Sequence, residues 1–192
     1  MKKLSNIKEE ENKPEGSASD ALWSGKYLSV WNINDWEVVN EKDMTIVIPY
    51  FVDRGIIALR YEHVPTYTFR TPSQTNFITI LSGSIEHGES AQECAIRELK
   101  EEAGIILNND YKLELLCDPI HVSKGNTAKY HIFLLEINEG EYSIIEPSGD
   151  GTESEKLSKT IFIDIDTLDN IKPNDLITEY CLTKLKEKTL AN

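Results

Sequence analysis

The chain has 192 residues, a length suited to one globular domain of about 150 residues with a tail, and carries a formal net charge of −13 with a pI near 4.8. Such an acid excess argues against broad, sequence-independent binding to nucleic acid or anionic lipid. A small nucleotide stays within reach, because a bound metal and a few local Arg or Lys residues offset its phosphates.

Cys94, Cys117 and Cys181 are widely spaced and odd in number, and no Cys/His run has metal-ligand spacing. Reduced thiols in a cytoplasmic setting are therefore expected. No apolar run approaches the roughly 18 residues of a membrane span, and two N-terminal lysines without an apolar core are not expected to act as a secretory signal.

In chain order, residues 1–22 are rich in Lys, Glu, Asn and Ser, interrupted by Pro14 and Gly16, and read as a flexible polar tail ahead of a single domain over 23–192. Tyr27–Trp31 and Trp36–Asn40 read as strands around a polar turn at Asn32–Asp35. Met44–Phe51 is a continuous apolar run, expected to be a buried strand. The turn Asp53-Arg54-Gly55 returns it as a hairpin partner over Gly55–Tyr61.

Residues 62–76, with Pro65, Pro72, Ser73 and Asn76, read as a long loop, and Phe77–Leu81 as a strand leading into Gly83. Further on, Lys112–Asp118 and Lys129–Ile137 are strand candidates joined through Lys124-Gly125-Asn126. Residues 146–159 have the composition of a loop. Thr160–Ile165 alternates as a half-buried strand. Asn174 or Asp175 caps a final helix with Leu176, Ile177, Tyr180, Cys181 and Leu185 at helical spacing. Strands on both sides of a mid-chain helix, with a second helix at the end, imply a mixed sheet between helices.

The stretch Gly83–Ile105 carries the chemistry. Ser90 and Glu93 have the S-x-x-E form of a capping box, so a helix starts at Ser90, and Gly104 is a natural left-handed terminator. Between them Glu98, Glu101 and Glu102 fall at i, i+3 and i+4 and stack their carboxylates on one side. Three like charges so close repel one another. A hard divalent cation, which takes carboxylate oxygens as ligands, removes that cost.

This segment resembles the Nudix box, G-x5-E-x7-R-E-U-x-E-E-x-G-U with U aliphatic, at Gly83, Glu89, Arg97, Glu98, Leu99, Glu101, Glu102, Gly104 and Ile105. The resemblance implies an α/β (α+β) fold, the Nudix α/β/α sandwich, with a mixed central sheet and antiparallel strands at the N-terminus. It also implies hydrolysis of a pyrophosphate bond in a nucleoside diphosphate linked to some group X, with Mg²⁺ or Mn²⁺ as cofactor. In that pattern Glu101 and Glu102 are metal ligands, Glu98 is a further ligand or a base acting through water, and the Ser82 carbonyl reaches a metal beside Gly83. Arg97 and Glu89 pair as support for the catalytic carboxylates. A glutamate from a loop after the box serves as base in several branches, and Glu153 and Glu155 are the candidates here.

For the substrate, Trp36 in Trp-Glu-Val-Val resembles the N-terminal strand of ADP-ribose pyrophosphatases, where an aromatic ring stacks on adenine, often across a homodimer with exchanged strands. Trp31 would form the other face of the clamp, and a flat aromatic suits a purine. Arg60, Arg70 and Lys124 are candidate phosphate or ribose contacts. The chain departs from that subgroup in having Thr79-Ile80-Leu81-Ser82-Gly83 where E-L-P-A-G is common, and Glu62 with His63 near the place of an arginine. Two other readings stand beside the hydrolase: a catalytically silent nucleotide-binding or assembly module of the same fold, and an isopentenyl-diphosphate isomerase, which needs a catalytic Cys.

Overall fold

The chain alternates in a way that buries both faces of its middle strands. The computed structural model describes residues 21–108, 111–149 and 156–190. Most of the stretch read as a tail, residues 1–20, lies outside the described residues. The chain enters with the Leu22 N–H donating to the Val30 carbonyl at 2.8 Å.

Three short strands, β1 (Trp23–Ser24), β2 (Leu28–Ile33) and β3 (Trp36–Glu41), form an antiparallel sheet of their own in the order β1-β2-β3. The expected polar turn between β2 and β3 is made by Asn34 and Asp35, both in the left-handed region at φ 51° and 65°. A type I′ hairpin turn requires positive φ at both positions, and Asn and Asp tolerate it. The Asn32 side chain accepts from the Asp35 N–H at 3.0 Å.

β4 (Met44–Phe51) and β5 (Ile56–His63) form the expected hairpin, turned by Val52–Arg54 with Gly55 left-handed at φ 60°. The helix α1 (Pro65–Arg70) follows. The loop expected over 62–76 is shorter, because β5 runs on to His63 and Pro65 opens α1 at the position where a missing N–H costs nothing. Six residues are too few to show a helical period, which is why the helix was illegible.

The strand expected over Phe77–Leu81 is two strands, β6 (Asn76–Thr79) and β7 (Leu81–Ser84), broken at Ile80 because the chain changes partners there. β6 pairs with β5, Thr79 opposite Arg60, whereas β7 pairs with β4, Leu81 opposite Val47.

After the helix α2 (Ala91–Ala103) come β8 (Ile105–Leu107), β9 (Leu113–Leu115), β10 (Ile120–His121), β11 (Lys129–Ile137), β12 (Tyr142–Ile144), β13 (Lys159–Asp164) and the helix α3 (Leu176–Leu190). Only the middle of Lys112–Asp118 is strand. β8 and β12 pair with each other as a small ribbon that short runs of three residues had concealed. Among the described residues the main sheet has the order β10-β11-β4-β5-β13, with β6, β7 and β9 joined to β5, β4 and β11. β11 and β4 are parallel and the other pairs antiparallel, the expected mixed sheet.

Its two faces are covered by the two long helices. Ile46, Ile48, Ile57, Leu59, Ile132 and Leu134 pack with Cys181, Leu182 and Leu185 of α3. Val47, Ala58, Phe133 and Leu135, which alternate with them, pack with Ala95, Leu99 and Ala103 of α2. A strand covered on both faces must be apolar throughout, which explains the unbroken run in β4. Each of these Ile and Leu side chains contributes about 1.5–3 kcal/mol by leaving water. Leu176, expected on the buried stripe of α3, is 75% exposed at the helix entrance. The cap is Asp175, whose carboxylate accepts from the Thr178 N–H at 2.7 Å and its hydroxyl at 2.8 Å. No described helix is long and apolar enough to cross a membrane.

Candidate active site

α2 is fixed at both ends. Ser90 accepts from the Glu93 N–H at 3.2 Å while the Glu93 carboxylate accepts from the Ser90 N–H at 2.8 Å, completing the capping box. Gly104 closes the helix at φ 65°, and a Cβ there would meet the Ile145 carbonyl oxygen at 2.0 Å. The buried hydroxyl of Thr45 donates to the Ala91 carbonyl at 3.0 Å and pins the first turn to β4. The apolar positions of α2 face the sheet, so Glu98, Glu101 and Glu102 share the side next to β7 and β5.

Arg97 is the hub of this face. Its Nε and Nη2 donate to the two Glu89 oxygens at 2.9 and 3.1 Å, and Nη1 donates to Glu98 Oε1 at 2.6 Å and Glu101 Oε2 at 3.0 Å. Nη2 also donates to the Ser84 carbonyl at 3.1 Å, tying the loop after β7 to the helix. A planar guanidinium suits this fork. Its hydrogen bonds hold the Glu89 carboxyl below the usual carboxylate range, while burial raises that of Glu98 against the pull of Arg97.

Glu102, like Glu98, is largely enclosed, its side chain 14% exposed. Glu102 Oε2 accepts from the Ser82 N–H at 3.1 Å, and Arg60 Nε stands 3.6 Å from Oε1. Burial pushes its carboxyl up to about 8; Arg60 opposes that shift, and Glu62 and Glu98 add to it. Arg60 is itself 3% exposed. Its Nη1 donates to the Glu102 backbone carbonyl at 2.7 Å, an oxygen that also accepts from Thr160 Oγ1 of β13 at 2.8 Å. Arg60 Nε has no hydrogen-bond partner among the described residues. Composition and spacing gave no sign of this pairing, since Arg60 reaches α2 only through the strand register.

Gly83 is where the backbone of β7 passes Glu98. A Cβ there would stand 1.7 Å from Glu98 Oε1. Gly83→Ala therefore pushes the carboxylate off Arg97, and turnover is expected to fall about a hundredfold, the scale of a displacement near 1 Å in a reacting array. Steady-state kinetics on purified variant checks this.

Among the described residues no three His, Cys, Asp or Glu side chains stand in a metal-holding arrangement, because Glu98 and Glu101 are turned onto Arg97 and Glu102 onto Ser82 and Arg60. The donor set still fits a hard divalent cation. It consists of carboxylate oxygens, one of them buried with its nearest guanidinium nitrogen beyond hydrogen-bond distance, on a face where Glu62, Glu89, Glu98, Glu101 and Glu102 outnumber Arg60 and Arg97.

The other sequence candidates lie apart from this face. Trp36 is 59% exposed on β3, and Trp31 is 9% exposed with its indole N–H on Ser29 Oγ at 2.7 Å. Register puts both rings on one side of the β2–β3 ribbon, with Trp36 opposite Ile33 and Trp31 opposite Val38. Arg70 ends α1 and Lys124 lies in the loop before β11, both exposed. Glu153 and Glu155 lie outside the described residues. The near side of their loop is tied to α2: Gly149 N–H donates to the Glu101 carbonyl at 3.1 Å and Ile145 N–H to the Gly104 carbonyl at 2.8 Å. A cavity of 470 Å³ follows this side, lined by Arg60, Glu101, Lys159, Thr160 and Phe162 among others. Cys94 is buried beneath the site, and burial pushes its thiol up to about 11, so it is no thiolate nucleophile.

No curated protein sequence matches the chain. Among solved structures, the chain is similar to an ADP compounds hydrolase, with 18% identity, a TM-score of 0.62, and 89% of this chain and 91% of that one covered. It is also similar to a MutT from a study of the enzymes of the psychrophilic fish pathogen Aliivibrio salmonicida and the mesophile Vibrio cholerae, with 16% identity, a TM-score of 0.48, and 74% and 97% covered. At these identities the likeness to the first is one of fold. The sequence model of the NUDIX domain matches residues 47–180, from β4 to the second turn of α3 and across the whole acidic helix. The chain belongs to the Nudix family.

Proposed function

We propose that the protein hydrolyses the pyrophosphate bond of a nucleoside diphosphate linked to X, with ADP-ribose or a related ADP-sugar or dinucleotide as substrate. The observation that carries this reading is the trio Glu98, Glu101 and Glu102 held on one face by two arginines, Arg97 and Arg60. The ADP compounds hydrolase of similar fold supports an ADP-containing substrate. Glu98, Glu101 and Glu102, with the Ser82 carbonyl, would hold Mg²⁺ or Mn²⁺, which when bound screens the phosphate oxygens and lowers the pKa of water.

The chain's own residues position that chemistry. Arg97 aligns Glu98 and Glu101 and, through Glu89 and Ser84, locks the loop against the helix. Arg60 fixes Glu102 from below. Burial raises the Glu102 carboxyl to about 8, and a bound cation would favour its ionised form. Glu98 or a loop glutamate, Glu153 or Glu155, takes the proton of the attacking water. Trp36, exposed on the N-terminal ribbon, stacks on adenine in a homodimer, the reading its accessibility supports.

A silent binding module has no use for three grouped carboxylates, and the buried thiol of Cys94 offers an isomerase no reactive group. The test is a hydrolysis panel with Mg²⁺ over ADP-ribose, diadenosine polyphosphates, NADH, FAD, nucleotide sugars and nucleoside triphosphates. Release of AMP from ADP-linked members is expected, and binding without turnover across the panel would select the silent module.

A further inference from the structure

A second cavity, of 350 Å³, opens at the end of the main sheet, between α1 and the first turn of α3, with Ile46, Ile80 and Tyr130 from the side of the sheet that α3 covers. It reaches the site through Ser82 and through Glu62, whose charge acts on Glu102. Much of its wall is apolar, including Ile46, Val64, Ile80, Val122 and Ile177. Its polar groups among the described residues include the hydroxyls of Thr79, Ser82 and Thr178 but carry no positive charge. The carboxylates of Glu62 and Asp175 and the phenols of Tyr67 and Tyr130 line it, and no Lys or Arg does so among the described residues.

Both carboxylates are held in place. Glu62 Oε1 accepts from the Thr79 hydroxyl, and Asp175 accepts from Thr178 as the cap of α3. Each keeps lone pairs free, since an ionised carboxylate accepts at about four sites. Burial, then Asp175 and Glu62, pushes the Tyr67 phenol up to about 12, and Tyr130 is raised as well, so both rings keep their protons. Tyr67 is further fixed edge-on against Phe77 at 5.3 Å. The volume falls at the small end of ligand pockets. Two fixed negative charges without a cation repel phosphate and favour N–H and O–H donors.

We propose that this cavity seats the X group of the substrate as an uncharged, donor-rich moiety, a sugar or an amino-bearing base, whose hydrogen bonds Glu62 and Asp175 accept. The proposal rests on the diphosphate-hydrolase reading above. It adds that substrates ending in a further phosphate are rejected at this end.

The test uses ADP-ribose for a sugar, diadenosine diphosphate for a base and ATP for a phosphate. Wild type is compared with Glu62→Gln, Asp175→Asn and the double variant; Asn preserves the cap of α3. Wild type should prefer ADP-ribose or diadenosine diphosphate over ATP, and which of the two is better identifies X. In Asp175→Asn KM for the preferred substrate should rise several-fold with kcat within about twofold, and in the double variant the preference over ATP should shrink about tenfold. Glu62→Gln alone, at a half-buried position, should show part of this shift if the double variant does not fold. Wild-type preference for ATP, or KM values unmoved in folded variants, would overturn the proposal. Should no substrate turn over, the hydrolase reading fails separately. Calorimetric binding of ADP-ribose, weakened about tenfold in the same variants, would then still support the cavity, and unweakened or absent binding would refute it.

Discussion

Glu102→Gln is expected to lower turnover about a thousandfold, the scale of removing one group aimed at transition-state charge, while leaving the protein folded. Gln keeps the shape and the acceptor for the Ser82 N–H, and Arg60 keeps its bond to the Glu102 backbone carbonyl. It removes a charge that the fold holds at a cost, since burial raises this carboxyl from 4.5 to about 8. The sign of the pH effect follows. A carboxyl raised in the folded state contributes stability that is fully present below its unfolded pKa and is lost as pH rises through the folded one. Metal-free wild type should therefore lose thermal stability relative to Glu102→Gln between about pH 4.5 and pH 8. Melting both proteins in chelator across that range, beside their turnover numbers with Mg²⁺, checks the two effects together. Parallel melting curves would show that the buried charge is not where the structure puts it.

The second large effect is expected from Arg97→Leu. The guanidinium is the shared donor for Glu89, Glu98 and Glu101, and its side chain is 26% exposed. Removing it leaves three carboxylates facing one another with part of their solvation already gone, a loss of about 3 kcal/mol, or roughly 10 °C in thermal midpoint for a chain of this size. Mg²⁺ should restore more of the midpoint in the variant than it adds to wild type, because a cation supplies the charge that the arginine provided. Arg97→Lys should fall between the two, keeping the charge but not the fork. Differential scanning calorimetry with and without Mg²⁺ measures both, and an equal response of wild type and variant to the ion would place the cation away from this face.

What the sequence disclosed follows from the range of each interaction. The capping box of Ser90 and Glu93, the terminal Gly104 and the grouping of Glu98, Glu101 and Glu102 are all contained within one helix, so spacing alone located them. The pairing of Arg60 with Glu102 spans 42 residues and depends on β5 lying under α2, which no local pattern encodes. The same holds for Glu62. Thr79 looked like a departure from the ADP-ribose subgroup, which often has glutamate at that place. Yet the Thr79 hydroxyl binds the Glu62 carboxylate on the neighbouring strand, so a carboxylate stands beside that position after all. α1, β8 and β12 were concealed because segments of three to six residues show too little of any period.

Trp31 and Trp36 show the limit of residue type as a guide. Both are tryptophans in one hairpin with rings on the same side, but one is 9% exposed and the other 59%. Neither composition nor strand pattern distinguishes a ring that fills a small sheet from one left exposed on it, because aromatic residues favour strands in either case.

We propose that the acidic face of α2 is a divalent-metal site for cleaving a diphosphate. The most direct measurement is AMP release from ADP-ribose by wild type and Glu102→Gln, each with Mg²⁺ and with chelator. Turnover confined to wild type with Mg²⁺ is the predicted result. Equal rates in both proteins, or rates unaffected by chelator, would show that this face holds no catalytic metal.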